Sequence, residues 1–143
     1  MIFTSYFAKI QSLPDNIIPV SICGKAPEWF NGLQYRKLAP KYSFFVKWKE
    51  NHDNDYYIEH FHDEVLRNLD AIKILHEISD LLPCEIKARI SSKIWRDPNV
   101  HIALVCYEKP DDFCHRHLVA DWLSRNGVEC KEYCFDTQHE EEN

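Results

Sequence analysis

The chain has 143 residues, of which 45% are hydrophobic and 28% charged, a composition typical of one globular domain with a buried core. Its formal net charge of −6 argues against broad non-specific binding to nucleic acid, which needs a basic surface. No apolar stretch is long enough to cross a membrane, and the N-terminus lacks the pattern of a signal peptide. We therefore expect a cytoplasmic protein whose six cysteines are reduced thiols.

The predicted elements alternate between strands and helices. In chain order they are strands at 2–7 and 17–23, an irregular segment at 24–55, helices at 58–82 and 85–95, a strand at 101–106, a helix at 113–125 and a strand at 128–135. The segment 58–82 gives the clearest signal, because apolar residues recur there every three or four positions. Gly127 is expected to end the last helix.

The last strand, helix and strand form a βαβ unit, which favours a parallel sheet covered by helices. We therefore predict the α/β class, with a single three-layer Rossmann-like domain and a mostly parallel sheet over residues 1–136. Residues 137–143 are polar and acidic, and we expect this tail to be disordered. In such sheets ligands bind beyond the carboxyl ends of the strands, beside helix N-termini.

One strand–helix junction, LVCYEKPDDFCHRHLVADWL at 104–123, is unusually rich in reactive side chains. These are Cys106, Glu108, Cys114, His115 and Arg116. Backbone N–H groups at the start of a helix favour an anion, and Arg116 could grip a phosphate or carboxylate with two hydrogen bonds. Glu108 or His115 could transfer a proton, and Cys114 could be a nucleophile or simply part of the pocket lining.

Purely structural interpretations of the same residues stay open. Asp111 or Asp112 could cap the helix without any functional role. Cys106 could be a small buried residue at the end of an apolar strand. His115 and Arg116 could form a solvated helix start, since capping turns commonly carry charge.

Zinc binding is the competing chemistry for the cysteines and histidines near the C-terminus. The possible donors are Cys106, Cys114, His115, His117, Cys130 and Cys134. Their spacing contains no Cys-x2-Cys pair with a matching second pair, which structural zinc sites usually have. We therefore assign no metal site and no cofactor from the sequence.

The block ALVCYEKPDDFCHRHLVADWL resembles the signature of domain-of-unknown-function family 488. The segments TSYFAKI, PVSIC, APEWFNG, LAP and VECKEY are similar to that family too, in its order. The resemblance covers nearly the whole chain and implies a small Rossmann-like domain from a prokaryote or phage, without an established reaction. It implies a site made of Cys106, Glu108, Cys114, His115 and Arg116, joined by Ser5 and Tyr6 from the first strand and by Arg36 and Lys41 from the long loop.

Two functions fit these residues. The first is binding or transformation of a small anionic ligand, a nucleotide or nucleobase-containing molecule, with Glu108, Cys114, His115 and Arg116 as catalytic candidates. Whether the chain is an enzyme stays open. The second is a non-catalytic module that binds nucleic acid or a protein partner through the aromatic and basic side chains between residues 29 and 49. The sequence indicates no membrane partner and leaves the oligomeric state open.

Overall fold

The computed structural model describes residues 1–83 and 100–135. Within these residues five strands form one sheet: β1 (Ile2–Tyr6), β2 (Ile17–Ser21), β3 (Leu33–Gln34), β4 (His101–Cys106) and β5 (Cys130–Glu132). Their order is β3-β2-β4-β1-β5, and every strand pair in the described residues is parallel. Strand β4 lies at the centre because its run of apolar residues can be buried on both faces. The predicted α/β class and Rossmann-like three-layer arrangement are confirmed.

Four α-helices belong to the described residues: α1 (Tyr42–Asn51), α2 (Asn54–Phe61), α3 (Ala71–Asp80) and α4 (His115–Arg125). Short 3-10 helices occupy Phe7–Ser12 and Arg36–Leu38, and one π turn, His62–Leu66, follows α2. None of the four helices combines the length and the apolar character that a membrane crossing requires.

The direction of each connection decides which face of the sheet it covers. From β1 to β2 and on to β3 the chain moves toward one edge, and its 3-10 helix and Phe30 pack on the face that carries Ala103 and Val105. From β3 to β4 and on to β5 it moves the other way, and α1 to α4 pack on the face that carries Ile102 and Leu104. Right-handed crossovers produce this division into three layers.

Two predictions about the elements between β2 and β4 need correction. The segment 24–55 is not irregular throughout, because it contains β3, a 3-10 helix and α1. Helix α1 starts without a side-chain cap and ends at His52 in the left-handed conformation, so the usual sequence signals are missing at both ends. The predicted helix at 58–82 is interrupted, because Asp70 accepts hydrogen bonds from the backbone N–H groups of Ile72 and Lys73 and begins a new helix.

The predicted start of α4 is wrong in its capping residue, and the predicted end at Gly127 is confirmed. Neither Asp111 nor Asp112 is the cap, since Cys114 occupies the N-cap position in an extended conformation without a side-chain hydrogen bond. At the other end Gly127 has a φ of 84°, and its N–H binds the carbonyl of Ser124 at 3.2 Å. The N–H of Val128 binds the carbonyl of Leu123 at 2.9 Å, which completes a Schellman motif.

The predicted strands at 2–7, 17–23 and 128–135 exist but are shorter at their ends. The predicted helix at 85–95 and the tail at 137–143 lie outside the described residues. The boundary of the single domain at residue 136 lies there as well and stays a prediction.

Candidate functional site

A cavity of about 670 Å³ opens at the carboxyl ends of β2 and β4. The chain leaves β2 toward β3 on one side and leaves β4 toward β5 on the other, so the two connections part and leave a crevice between these strands. Parallel α/β sheets bind ligands at such switch points. The volume also lies within the range usual for small-molecule pockets.

Three kinds of side chain line this cavity. The reactive ones are Cys23, Cys106, Glu108, Cys114 and His115. The aromatic ones are Tyr42, Phe45, Trp48, Tyr57, Tyr107 and Phe113, and the basic ones are Lys25 and Lys49. The cysteines and the histidine are buried and form the floor, whereas both lysines are exposed and lie on the rim.

The floor is a compact group of sulfur and nitrogen atoms. The Sγ of Cys106 lies 3.1 Å from the Sγ of Cys23 and 3.6 Å from both Oε2 of Glu108 and Nδ1 of His115. Cys106 ends β4 and His115 begins α4, so the strand–helix turn brings together residues that are nine positions apart. Strand pairing between β2 and β4 adds Cys23 from a distance of 83 positions.

Two thiols on this floor, Cys106 and Cys114, are held in the neutral form. Cys106 and Cys114 share a hydrogen bond that lowers the pKa of Cys106 and raises that of Cys114. For Cys106 the hydrogen bond with Cys23 and burial outweigh this effect, so the pKa of both Cys106 and Cys114 lies above the ordinary 9.0. Burial raises the pKa of Tyr57 too, and its hydroxyl therefore remains a hydrogen-bond donor beside the thiols.

His115 is fixed by a backbone contact across the sheet end. Its Nε2 lies 2.8 Å from the carbonyl oxygen of Ile22. A carbonyl can only accept, so Nε2 carries a proton and, in the neutral ring, Nδ1 presents its lone pair toward Cys106. The ring also packs against Phe61, with centroids 5.7 Å apart. The imidazole is therefore oriented before any ligand binds.

Arg116 turns away from the cavity and is fully buried. Its Nε and one terminal nitrogen donate to the two carboxylate oxygens of Glu132 at 3.0 and 3.1 Å. The other terminal nitrogen donates to the carbonyl of Glu108 at 2.7 Å. Thr4 donates to the same carboxylate at 2.6 Å. The guanidinium thus ties β1, β5 and the turn after β4 together.

The structure brings four of the predicted site residues together and separates the other five. Cys106, Glu108, Cys114 and His115 line one cavity. Those that do not line it are Arg116, Ser5, Tyr6, Arg36 and Lys41. The Tyr6 ring lies 5.8 Å from the Arg116 guanidinium, and the Ser5 hydroxyl is buried without a hydrogen-bond partner in the described residues.

The two loop residues lie close to the cavity without forming its wall. Arg36 donates from Nε to the carbonyl of Gly24 at 3.2 Å, and Gly24 is part of the lining. Lys41 is exposed and stands between Pro40 and Tyr42, which both line the cavity.

Several lining residues were not predicted. Cys23 and Lys25 follow the carboxyl end of β2, the position at which a parallel sheet places ligand contacts. The sequence would have indicated Cys23 and Lys25 only if the pairing of β2 with β4 had been predicted first. Tyr57 and Phe113 gave no separate signal, since an aromatic residue beside an apolar run is usually part of the core.

The aromatic segment 29–49 does not form an open stacking surface. Phe30, Tyr35 and Phe44 are buried, while Phe45 and Trp48 line the cavity. Two rings of this segment are largely exposed: Trp29 precedes β3, and Tyr42 begins α1 and lines the cavity. Most of these rings therefore serve the core or the cavity.

A family model described as DUF488-N3a, Active DUF488-N3 subclade, matches residues 14–127, well over half of the chain. The matched segment includes β2, β4, α4 and all the residues that line the cavity. Comparisons with curated proteins and with solved structures gave no match.

Proposed function

This chain belongs to the DUF488 family, and we propose that its cavity binds, and can transform, a small anionic ligand that contains a nucleobase. The observation that carries the proposal is the division of one cavity into aromatic walls, a basic rim and a reactive floor. An aromatic base, a phosphate and a reacting group would each meet the matching side chains there.

The walls can hold a flat ring. Trp48 lies 5.6 Å from Phe113 at an interplanar angle of 35°, and Tyr57 meets Phe113 edge-on at 5.1 Å. The indole Nε1 donates to Asn54 at 2.8 Å, which fixes the orientation of Trp48. Stacking of a base on such a ring contributes about 1–3 kcal/mol.

The rim can hold a phosphate through Lys25 and Lys49. Tyr107 donates its hydroxyl to the backbone carbonyl of Lys25 at 2.7 Å and so positions that residue at the edge of the cavity. The ammonium of Lys49 lies 4.8 Å above the ring of Phe45, which also lines the cavity. Arg116 already donates hydrogen bonds to the Glu132 carboxylate and the Glu108 carbonyl, so the two lysines are the better partners for an anion.

The floor supplies the groups that could move a proton. Glu108 presents a carboxylate beside Cys106, and His115 presents a lone pair toward the same sulfur. The raised pKa of Cys114 makes this thiol a weak nucleophile in the free protein, so Glu108 and His115 are the leading candidates. The word "active" in the description of the matching subclade is consistent with a working site.

Calorimetric titration with nucleoside monophosphates at low salt tests the proposal. We expect Lys25→Gln and Lys49→Gln each to weaken binding about tenfold, because each removes a charge-assisted contact. Lys47→Gln is the matched control, since Lys47 is exposed on the same helix α1 but does not line the cavity. Equal affinity in all three variants, or no binding to the wild-type chain, would refute it.

A further inference from the structure

Three metal-binding side chains converge at the floor of the cavity. Cys106 comes from the end of β4, and Cys114 and His115 come from the start of α4. One donor atom from each lies within 4.8 Å of the other two, and all three residues are buried. Donors around one tetrahedral zinc ion lie about 3.5 Å apart, so the 3.6 Å between Cys106 and His115 already fits.

His115 is anchored as metal-binding histidines usually are. Its Nε2 proton is donated to the carbonyl of Ile22, and Nδ1 is left to face the two thiols. Such a second hydrogen bond fixes the tautomer and the ring plane of a metal ligand. A histidine that served only to fill the core would not need its free nitrogen aimed at a sulfur.

We infer that Cys106, Cys114 and His115 hold one zinc ion whose fourth coordination position opens into the cavity. Thiolate and imidazole ligands together favour zinc over magnesium, calcium or manganese. All three ligands line the cavity, so an exogenous molecule can reach the remaining position. Three protein ligands plus one open position is the pattern of catalytic zinc sites, whereas structural sites are closed by four.

The neighbouring side chains complete this site without acting as ligands. Cys23 lies 3.1 Å from the sulfur of Cys106 and can donate its S–H to the thiolate that zinc requires there. Glu108 lies 3.6 Å from the same sulfur and can accept the proton of a zinc-bound water, which leaves a hydroxide on the metal. Binding of zinc releases the thiol protons of Cys106 and Cys114 and occupies Nδ1 of His115, so that Glu108 is then the candidate for proton transfer.

The experiment uses the full chain, stripped of metal with a chelator and kept reduced with a phosphine. Titration with cobalt(II) is expected to give one equivalent of tetrahedral cobalt, with thiolate charge-transfer bands that zinc abolishes stoichiometrically. Cys106→Ser and Cys114→Ser should each weaken binding by more than about 100-fold, because a lost ligand costs more than a lost second-shell partner. Cys134→Ser, which changes an exposed thiol, and Cys130→Ser, which changes a buried one, should leave binding unchanged.

The cobalt spectrum of the wild-type chain tests the proposed site even if a variant that lacks one ligand fails to fold. The charge-transfer intensity reports the number of bound thiolates, and we expect two. An octahedral cobalt spectrum, or an intensity for three or four thiolates, would overturn the proposed site. A Cys23–Cys106 disulfide in the freshly isolated chain, seen as the loss of two hydrogens in its mass, would overturn it too. The result does not depend on which ligand occupies the cavity.

Discussion

Arg116 and Glu132 form a two-bond ion pair in which the guanidinium is 0% exposed and the carboxylate side chain 22%. The same guanidinium holds the backbone carbonyl of Glu108 at 2.7 Å. The position of Glu108 beside the cavity therefore depends on a cation that does not itself line the cavity.

Replacing Arg116 by Met should destabilise the chain by about 3 kcal/mol, because Glu132 loses its partner in a largely buried position. Urea denaturation followed by circular dichroism measures this change. Arg125→Met is the matched control, since Arg125 is 74% exposed and pairs with Asp121 on the surface of α4. The free energy of unfolding of Arg125→Met should fall by less than about 0.5 kcal/mol. Similar losses in the two variants would mean that the buried pair contributes little.

The cysteines should differ strongly in their reactivity toward an alkylating reagent. Cys134 is exposed, whereas Cys106 and Cys114 are buried and their pKa is raised above the ordinary 9.0. Because the thiolate is the reactive form, we expect Cys134 to be labelled at least about tenfold faster at neutral pH. Peptide mapping by mass spectrometry at several reaction times gives the rates. Early labelling of Cys114 would show an activated thiolate instead.

The stability of the metal-free chain should fall at alkaline pH. Burial, and then the charge of Glu132, raise the pKa of Cys130 from 9.0 to about 12, and the pKa of Cys106 and Cys114 is raised as well. The folded chain therefore keeps thiol protons that the unfolded chain loses above pH 9.0. Between its pKa in the unfolded chain and its pKa in the folded chain, each such thiol lowers the free energy of unfolding by about 1.4 kcal/mol per pH unit. The urea midpoint of unfolding should be lower above pH 9.0 than below it, and Cys130→Ser should reduce this difference. A flat profile would contradict the assignment.

Gly127→Ala should destabilise the chain by about 1 kcal/mol. An added Cβ would meet no atom within 4 Å, so the cost comes only from the φ of +84°, which residues with a side chain rarely adopt. Gly24→Ala is the control, because its Cβ also meets nothing and its φ is not in that region. It should leave the melting temperature unchanged or slightly higher. Equal effects of the two substitutions would exclude the left-handed turn as the cause.

The local part of the site could be predicted from the sequence. An apolar strand, a turn with Pro110 and an amphipathic helix place Cys106, Cys114 and His115 at one junction whatever the rest of the chain does. The parallel sheet follows from the same strand–helix–strand unit. These predictions succeed because the contacts behind them join residues that are close to one another in sequence.

The long-range part could not be predicted. The orientation of Arg116, on α4, is decided by Glu132, which lies 16 residues further along on strand β5. Cys23 joins the floor only because β2 pairs with β4 across 83 residues. Zinc-spacing rules do not single out Cys106, Cys114 and His115 among the possible donors, because these rules look for short local pairs, whereas a strand end and a helix start supply this group.

A crystal structure of the chain soaked with a nucleoside monophosphate tests the central claim most directly. We expect the base against the aromatic wall formed by Trp48 and Tyr57, the phosphate near Lys25 or Lys49, and the reacting end of the ligand above Cys106 and His115. An empty cavity at saturating nucleotide, or a nucleotide bound elsewhere on the surface, would contradict the proposed function.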